Sequence, residues 1–404
     1  MDVLIVGAGV GGLAAARGLL DAGHRVTVFE QAPALRTTGA AVTVWSGGVG
    51  ILGSLGVRTG DLGARIDGLE NRSQAGEHLY SIDVSHAARR LGHSSITAPR
   101  RDLLARLADG LPAGTVRYGR RFVSSVEQGQ GVRAVFDDGS TAEGDVLVGA
   151  DGHHSAVRQQ LWGHDPTRPA GWATWQGLAD FRAKITGAHH GLMINGRDGF
   201  CGLLPAGPDT LQWWFSFPWT ADSEGPFLPL LRARFGRWAP PVPEVLDSLA
   251  ESDIEMFPHH THPVRRRWGT ARSTLLGDAA HTMPPIVAQG ANQALEDAWL
   301  LVRLLTTRQG DLTDTLRHYE RLRSRRVSPI ARLAATEYTY RYHPPRFDRL
   351  VPSALATRAY TYWLHGTSDF LCAQQPWWPP RLARRTAGAG AGAAAGAGRG
   401  GSPR

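Results

Sequence analysis

The stretch Val3-Leu4-Ile5-Val6-Gly7-Ala8-Gly9-Val10-Gly11-Gly12 decides the fold of this chain. Its four leading apolar residues are typical of a strand buried on both faces of a sheet, and residues 13–20 have the Ala/Leu character of a helix. Residues 25–29 form a second, β-branched strand. Together the three segments predict a βαβ unit of about thirty residues.

The glycines of this unit have the G-x-G-x-x-G spacing of a dinucleotide-binding turn. Gly7 permits the tight turn, Gly9 lets backbone amides approach a pyrophosphate, and Gly12 allows close packing of helix on strand. Glu30 ends the second strand, where its carboxylate can accept hydrogen bonds from ribose hydroxyls. A chance glycine-rich turn is the alternative, and the motif alone does not separate NAD from FAD. The cofactor-binding candidates of this unit are Gly7, Gly9, Val10, Gly11, Gly12 and Glu30.

Two later strands also end at an acidic residue and run into a helix. Residues 145–149 lead into Asp151 and Gly152, and residues 273–276 lead into Gly277-Asp278. Each carboxylate has an alternative interpretation as a helix N-cap, worth about 1 kcal/mol. Capping and cofactor contact are compatible, so both turns remain candidate parts of a nucleotide site.

Between these segments, residues 171–219 alternate large apolar and polar side chains, which predicts an antiparallel sheet rich in tryptophan. A period of two places Gln212, Trp214 and Ser216 on one face of a strand. Trp213 and the two phenylalanines that follow it in alternation, 215 and 217, lie on the other. The sequence does not say which face lines a pocket.

Composition excludes several classes of protein. The 404 residues suffice for two to three domains, and 42% hydrophobic with 20% charged residues indicates a globular chain. The net charge of +8 is concentrated at the end: residues 381–404 hold five arginines and no acid, which leaves +3 for the rest. No recognition module accompanies the basic tail, so we expect no nucleic-acid partner.

The cysteine count and the hydropathy pattern bear on disulfides, metal binding and cellular location. Cys201 and Cys372 are too few for a disulfide framework or a multi-cysteine metal site, so no metal is expected. No apolar run reaches the roughly 18 residues of a membrane span, and the N-terminus lacks a signal peptide. We expect a cytoplasmic protein, either a monomer or a homodimer.

Three motifs in order carry a resemblance to a known family. After the glycine turn come Gly149-Ala150-Asp151-Gly152-His153-His154-Ser155-Ala156-Val157-Arg158 and Gly277-Asp278-Ala279-Ala280-His281, the latter followed by Pro285 and Ala288-Gln289-Gly290. The chain thereby resembles the class A flavoprotein aromatic hydroxylases, the p-hydroxybenzoate hydroxylase family, over roughly residues 1–340. Residues 39–45 and 238–242 look most like its salicylate and urate hydroxylase branch.

The resemblance implies an α/β (α+β) fold: a three-layer Rossmann-like FAD-binding domain with an inserted antiparallel-sheet substrate domain and C-terminal helices. The implied divisions are residues 1–73, 97–170 and 266–340 for the FAD-binding domain, 74–96 and 171–265 for the substrate domain, 341–380 for a helical Trp/Pro segment, and 381–404 for a disordered tail.

The resemblance also implies roles for residues around FAD. Asp278 would hold a ribityl hydroxyl, amides of the 288–290 turn would stabilise charge on the flavin, and Pro285 would lie against its ring. Arg100 would reach the flavin cofactor, with Arg101 as the alternative. The other implied cofactor residues are Arg36, Val123 (whose backbone would pair with adenine), Asp151, Gly152, Ala288, Gln289, Gly290 and Asn292, with Arg158 as a nearby helix cation.

The activity that the resemblance implies is an FAD-dependent NAD(P)H:O2 monooxygenase. It would hydroxylate or epoxidise a small aromatic or polycyclic molecule through a flavin C4a-hydroperoxide. NAD(P)H would be a transient co-substrate, since no second G-x-G-x-x-G is present. An FAD-dependent dehydrogenase or reductase and a redox-inert FAD-binding protein remain alternatives. No nucleophilic triad is present, and His281 is expected to be structural.

The substrate would lie under the predicted sheet. Met193, Phe200, Gln212 and Trp214 are the pocket candidates, with ordinary sheet core as the alternative for each. The arginine with which urate hydroxylases hold their substrate aligns near Phe200, so its loss argues for a more apolar aromatic substrate. The basic runs at 265–267 and 323–326 are interpreted as solvated surface, with NAD(P)H phosphate attraction as the alternative. Residues 319–326 also resemble a family helix that packs beside the FAD-binding domain.

Overall fold

A computed structural model of the chain describes residues 1–36, 39–180, 187, 189–197, 199–219, 225–336 and 351–374. Within them the helices are α1 (Val10–Asp21), α2 (Ser46–Ser54), α3 (Val84–Leu91), α4 (Arg100–Ala108), α5 (Ala156–Trp162), α6 (Phe227–Phe235), α7 (Val242–Asp247), α8 (Asp278–His281), α9 (Gly290–Thr306), α10 (Leu312–Ala335), α11 (Ser353–Gly366) and α12 (Asp369–Gln374). None of these helices combines the length and the apolar character that crossing a membrane requires.

The strands of the same residues are β1 (Asp2–Val6), β2 (Arg25–Phe29), β3 (Ala41–Val44), β4 (Ala64–Arg65), β5 (Gly68–Ser73), β6 (His78–Asp83), β7 (Ile96–Pro99), β8 (Val116–Arg117), β9 (Phe122–Gln128), β10 (Gly131–Phe136), β11 (Thr141–Gly144), β12 (Val146–Gly149), β13 (Arg168–Ala179), β14 (His190–Gly196), β15 (Gly199–Pro205), β16 (Leu211–Pro218), β17 (Glu255–Thr261) and β18 (Ser273–Leu275). They form four sheets, of which two position the site.

The first is a five-stranded parallel sheet in the order β18-β12-β1-β2-β8. It brings together the three strands that the sequence predicted to end at glycine or acidic turns: β1, β12 and β18. Because parallel strands end at the same edge, those turns meet there. The side chains of β1 and β12 are almost wholly buried, as their continuous apolar runs require. The predicted Rossmann-like arrangement of these strands is confirmed.

The second is a seven-stranded sheet in the order β17-β13-β16-β15-β14-β5-β6. The sequence predicted an antiparallel sheet, but the sheet is mixed because β14 pairs with β5 in parallel. Strand β5 is also bonded to β6, so the predicted division after residue 73 falls between two paired strands of one sheet. The alternation in residues 171–219 predicts strands but not their partners, and β5, the partner of β14, lies about 120 residues earlier in the chain.

One face of this sheet packs on its own helices. Trp213, Phe215 and Phe217 are buried in a core with α6 and α7, and Trp175 stacks on Phe217 with ring centroids 3.9 Å apart. The other face, which carries Gln212 and Trp214, is therefore the one that faces the FAD-binding part of the chain. Period two predicted the division into two faces, and the packing of α6 and α7 decides between them.

The C-terminal helices cover the FAD-binding part. Leu364 of α11 and Phe370 and Leu371 of α12 are buried in the same core as β1 and α1. This agrees with the helical character predicted for part of residues 341–380. Residues 341–350, 375–380 and the predicted disordered tail lie outside the described residues.

The second basic run is not solvated surface; it lies on a helix that packs on the core of β1 and α1, as the resemblance to a family helix implied. Arg323 is fully buried and is paired with Asp297 and Asp369, and Arg326 is also paired with Asp369. Period 3.6 places residues 323 and 326 on the inner face of α10, while Arg325 is exposed.

Candidate active site

The glycine turn after β1 leaves space where a pyrophosphate would be expected. Gly7 has a φ of +104°, a region that L side chains rarely adopt, and a β-carbon there would overlap the carbonyl of Ala150. A β-carbon at Gly12 would overlap the carbonyl oxygen of Gly7. A β-carbon at Gly9, in contrast, meets no atom of the described residues within 4 Å. Gly7 and Gly12 are thus required by packing, whereas the space above Gly9 is open to a ligand.

Two helices begin at this edge of the sheet without side-chain caps. Helix α1 begins at Val10 and α9 at Gly290, and neither N-cap residue provides a side-chain hydrogen bond. Gly11 brings the two helices together, since a β-carbon there would lie 3.2 Å from the β-carbon of Ala294. Free amides at paired helix starts favour anionic ligand groups.

The turn before α9 adopts the geometry expected of a flavin loop. Pro285 is exposed and begins a 3-10 turn, Pro285–Val287. Ala288 follows with a φ of +47°, the left-handed region, which only this non-glycine residue enters in the described chain. The side chain of Gln289 is buried and bonds to that of Gln293. The turn therefore presents backbone rather than side chains.

Asn292 is occupied by protein contacts. Its Oδ1 accepts from the backbone N–H of Trp45, and its Nδ2 donates to the carbonyls of Thr43 and Ala288 at 2.9 and 2.8 Å. The side chain joins α9 to β3 and α2 and holds the Ala288 turn. A direct cofactor contact by this side chain stays a prediction, and its positioning of the turn is what the structure shows.

Glu30 lies where the second strand of the βαβ unit ends. Its carboxylate accepts from the backbone N–H of Ala8 at 2.8 Å and from that of Ala32 at 2.9 Å. These two bonds fix the carboxylate beside the glycine turn. Each oxygen of a carboxylate can accept more than one hydrogen bond, so ribose hydroxyls can still be bound.

Arg100, Asp278, Gly9 and Gly290 border what we call the cofactor cleft. The Arg100 Nε is buried, and no described residue forms a hydrogen bond with it. Burial, followed by the charge of Arg36, lowers the pKa of Arg100, and Asp278 and Glu255 oppose that effect. Arg101, the alternative candidate, is 59% exposed and lies 3.4 Å from Asp102. Of the two, Arg100 is the one directed into the cleft.

Asp278 opens α8 at the end of β18, and its side chain is exposed. A β-carbon at Gly290 would lie 3.8 Å from an oxygen of this carboxylate. The carboxylate therefore stands at the start of α9, accessible to a ligand in the cleft.

Asp151 is not the N-cap of α5, contrary to the alternative interpretation: the N-cap is Ser155, whose hydroxyl accepts from the Arg158 amide at 2.9 Å. The Asp151 carboxylate accepts from the Ser155 hydroxyl at 2.5 Å and from the Val157 amide at 3.1 Å, which organises the start of α5. Burial raises the pKa of Asp151 despite these bonds. Gly152, with a φ of +79°, has open space around it. The proposed contact of this turn with the cofactor stays a prediction.

Arg158 is a structural cation. It is buried, it is paired with Asp165 at 2.8 Å, and it donates to the carbonyls of Ala279 and Ala280. It thus ties α5 to α8. Val123 lies in β9 and is 55% exposed, so its backbone role also stays a prediction. Arg36 is exposed.

His281 is structural, as expected. It is fully buried and its Nε2 lies 2.6 Å from Asp297. Asp297 in turn accepts from the Gly277 amide at 2.8 Å. The histidine therefore supports the turn that precedes Asp278.

The four pocket candidates lie on one face of the seven-stranded sheet. Phe200 pairs with Ser216, Gly202 with both Met193 and Trp214, and Leu204 with Gln212. Residues paired across antiparallel strands share a face, so Met193, Phe200, Gln212 and Trp214 point the same way. Met193, Trp214 and Ile286 each pack against both hydrophobic cores. This face consequently covers the Pro285–Val287 turn.

A cavity of about 810 Å³ lies elsewhere, between α3, β5 and β6. Its lining includes Arg65, Glu70, Asp83 and Arg89, and none of the four pocket candidates. Its charged lining suits an apolar aromatic ligand poorly, so it does not displace the sheet face as the candidate substrate site.

Sequence reasoning missed two features of the site. Glu255 of β17 projects toward the cofactor cleft, where its carboxylate and Arg100 both border Gly39. His153 lies against His154 and His260, with ring centroids 3.9 and 6.0 Å away, and burial lowers its pKa. Period two along β17 could have shown that residue 255 shares a face with 257, but nothing local indicated the pairing of β17 with β13.

Comparison with known proteins agrees with this geometry. Residues 1–334 match the family model described as FAD binding domain. The chain is 32% identical over 339 residues to the FAD-dependent urate hydroxylase of Klebsiella oxytoca, covering 82% of this chain and 88% of that protein. It is 33% identical over 390 residues to a 3-amino-4-hydroxybenzoate 2-monooxygenase of Streptomyces platensis, covering 90% and 95%.

Among solved structures, the chain is similar to Klebsiella pneumoniae HpxO complexed with FAD and uric acid, with a TM-score of 0.83 and 27% identity over 91% of this chain and 97% of that one. The chain belongs to the FAD-binding-domain family and, within it, to the class A FAD-dependent monooxygenases. It is an oxidoreductase that uses FAD, and the resemblance predicted from its motifs is confirmed.

The residues present fit FAD. The space above Gly9 and the uncapped starts of α1 and α9 would accommodate its pyrophosphate and the polar edge of its flavin. The unpartnered Nε of Arg100 would gain an acceptor, and the exposed Asp278 carboxylate would gain hydroxyl donors.

Proposed function

We propose that this protein uses NAD(P)H and O2 to hydroxylate or epoxidise a small aromatic or polycyclic molecule held between the cofactor cleft and the sheet face. One observation carries the proposal: Met193 and Trp214 of the sheet face and Ile286 of the flavin turn pack against both cores, so a largely apolar face closes over the turn.

When bound, FAD would accept a hydride from NAD(P)H and in its reduced form activate O2 for transfer of one oxygen atom. Over one turnover, substrate, O2, NAD(P)H and a proton give the oxygenated product, water and NAD(P)+. The protein orients the cofactor and the aromatic substrate relative to each other and excludes water from the reacting centre.

Several residues would carry that work. Asp278 and the start of α9 would fix the position of the cofactor, and Arg100 would supply positive charge beside it. Asn292 would hold the Ala288 turn at a fixed distance from it. Trp214 and Phe200, with ring centroids 6.1 Å apart, would exclude water and pack on an aromatic substrate.

The test follows oxygen and reducing equivalents in the purified protein. An absorbance spectrum reports bound FAD, and NADH or NADPH oxidation is measured with oxygen uptake and peroxide release while phenols, indoles and polycyclic aromatics are added. We expect one compound class to stimulate NAD(P)H oxidation and oxygen uptake together, with little peroxide.

Two results would contradict the proposal. Substrate oxidation that proceeds without oxygen would make the protein a dehydrogenase. Oxidation of NAD(P)H that no aromatic compound stimulates, with all oxygen recovered as peroxide, would leave the protein a flavin oxidase of NAD(P)H.

A further inference from the structure

Gln212 has one half of its side-chain amide satisfied and the other half unsatisfied. It lies near the start of β16 and is 7% exposed. Its Nε2 donates to the carbonyl of Ala41 at 3.1 Å. Its Oε1 is buried and has no hydrogen-bond partner among the described residues.

The contact with Ala41 settles the orientation of the amide. A backbone carbonyl can only accept, so the atom that faces Ala41 must be the NH2 group. The unsatisfied atom is consequently the oxygen, an acceptor. An amide flip would place two acceptors together and would not remove the problem.

A buried acceptor without a donor is unusual in a folded protein. Leaving such a group unpaired costs about 1–3 kcal/mol, and most buried polar side-chain atoms have a partner. Ala41 begins β3, and the preceding Ala40 carbonyl accepts from the Arg100 amide at 3.1 Å. The amide of Gln212 therefore bridges the sheet face and the segment that leads to the cofactor cleft.

The surroundings of Gln212 specify the kind of donor that fits. On the central strands β14–β16 the positions that share its face are Met193, Asn195, Phe200, Gly202, Leu204, Trp214 and Ser216. These positions, all of them described, hold no charged residue. The face continues through Gln176 of β13 to Glu255 of β17, whose negative charge would repel a substrate carboxylate or oxyanion. Such a group would also lose its hydration, and none of these positions supplies a cation in return. A neutral donor suffers no such loss.

We propose that Gln212 determines substrate specificity by accepting a hydrogen bond from a neutral O–H or N–H group of the aromatic substrate. The substrate class is then a phenol, an aromatic amine or an N–H heterocycle that binds uncharged. The inference rests on the proposed function, because it assumes that the aromatic molecule binds beneath this face.

The test compares two probes that differ in one hydrogen-bond donor: 2-naphthol and 2-methoxynaphthalene. Each is titrated into the FAD-loaded protein, and binding is followed by the change in flavin absorbance. The wild type should bind 2-naphthol at least about tenfold more tightly than the ether, because only the naphthol can satisfy Oε1.

In Gln212→Leu the preference should fall to about twofold or less, chiefly through weaker binding of 2-naphthol. Gln176→Leu is the matched control: this glutamine lies on the same face in β13, but its amide donates to Glu255 at 3.4 Å. The control should retain the wild-type preference. FAD content and thermal stability of both variants show that they are folded.

Three outcomes would overturn the proposal: a wild type that binds both probes equally, an undiminished preference in Gln212→Leu, or no flavin response to 2-naphthol at all. If Gln212→Leu does not fold, the binding of aniline and of N,N-dimethylaniline to the wild type provides a second comparison. Equal binding of these two probes would again contradict the proposal. Oxygen uptake is measured separately, so probes that bind with the expected preference but never stimulate oxygen uptake count against the proposed function alone.

Discussion

The Nε of Arg323 lies 2.5 Å from Oδ1 of Asp297, and both side chains are fully buried. The other oxygen of Asp297 accepts from the Gly277 amide and faces His281 Nε2. Arg323 also reaches Asp369 of α12 at 2.6 Å. One buried cation therefore connects the turn before Asp278, the helix α9 and the C-terminal helix α12.

Replacing Arg323 with methionine should destabilise the protein strongly. The change leaves Asp297 buried without its arginine partner, and breaking a buried pair from one side costs about 3–5 kcal/mol. We expect a large fall in Tm, measured by thermal denaturation of the FAD-loaded protein. Arg325→Met, on the exposed side of the same helix, should shift Tm little. Equal small shifts in both variants would mean that the pair contributes nothing measurable.

Glu296, next to Asp297 in α9, should make stability depend on pH. It is buried, it accepts from the Ser368 hydroxyl, and it accepts from the Phe370 amide at 3.1 Å. Burial, and then the charge of Asp369, raise its pKa from 4.5 to about 7. The folded protein therefore holds a proton on this group at pH values where the unfolded chain has lost it.

The sign of the effect follows from linkage. The stabilisation is fully present below the unfolded pKa of 4.5 and is lost as the pH rises to about 7. Glu296→Gln keeps an uncharged group at all pH values. Between pH 5 and pH 8 the free energy of unfolding of the wild type should therefore fall by about 1–3 kcal/mol relative to that of Glu296→Gln. A difference that does not change with pH would show that Glu296 has an ordinary pKa.

Gly9 and Gly12 should respond differently to the same substitution. A β-carbon at Gly12 overlaps the Gly7 carbonyl oxygen, so Gly12→Ala should destabilise the FAD-free protein by about 1–3 kcal/mol. A β-carbon at Gly9 meets no protein atom, so Gly9→Ala should leave the FAD-free Tm unchanged and weaken FAD binding at least about tenfold. Flavin fluorescence titration measures the second effect. An unaltered FAD affinity in Gly9→Ala would place the pyrophosphate elsewhere.

The parts of the fold that depend on local pattern could be predicted from the sequence. The glycine turn, the buried strands β1 and β12 and the acidic turns after them follow from runs of neighbouring residues. Their meeting at one edge follows from parallel pairing. Family motifs then identified FAD, which neither composition nor periodicity could do.

The features that were missed depend on contacts between distant residues. Arg323 looked like part of a solvated run because its partner Asp369 lies 46 residues further along the chain. The parallel pairing of β5 with β14 joins segments about 120 residues apart. Gln212 was a pocket candidate by alternation, but its unsatisfied oxygen becomes visible only once Ala41 is placed beside it.

Arg100 and Arg101 offer a direct test of the cofactor cleft, because one of these adjacent arginines is buried and the other is exposed to solvent. Arg100 is buried at Nε without a partner, whereas Arg101 is exposed. Burying a cation without full compensation is unfavourable, so Arg100→Met should leave the FAD-free protein equally stable or more stable. The same change should weaken FAD binding at least about tenfold, since a charge-assisted contact is lost. Stability and affinity would then move in opposite directions, a result that general damage to the fold cannot produce. Arg101→Met should change neither quantity. If Arg100→Met instead lowers the FAD-free Tm and binds FAD normally, Arg100 stabilises the fold and does not contact the cofactor.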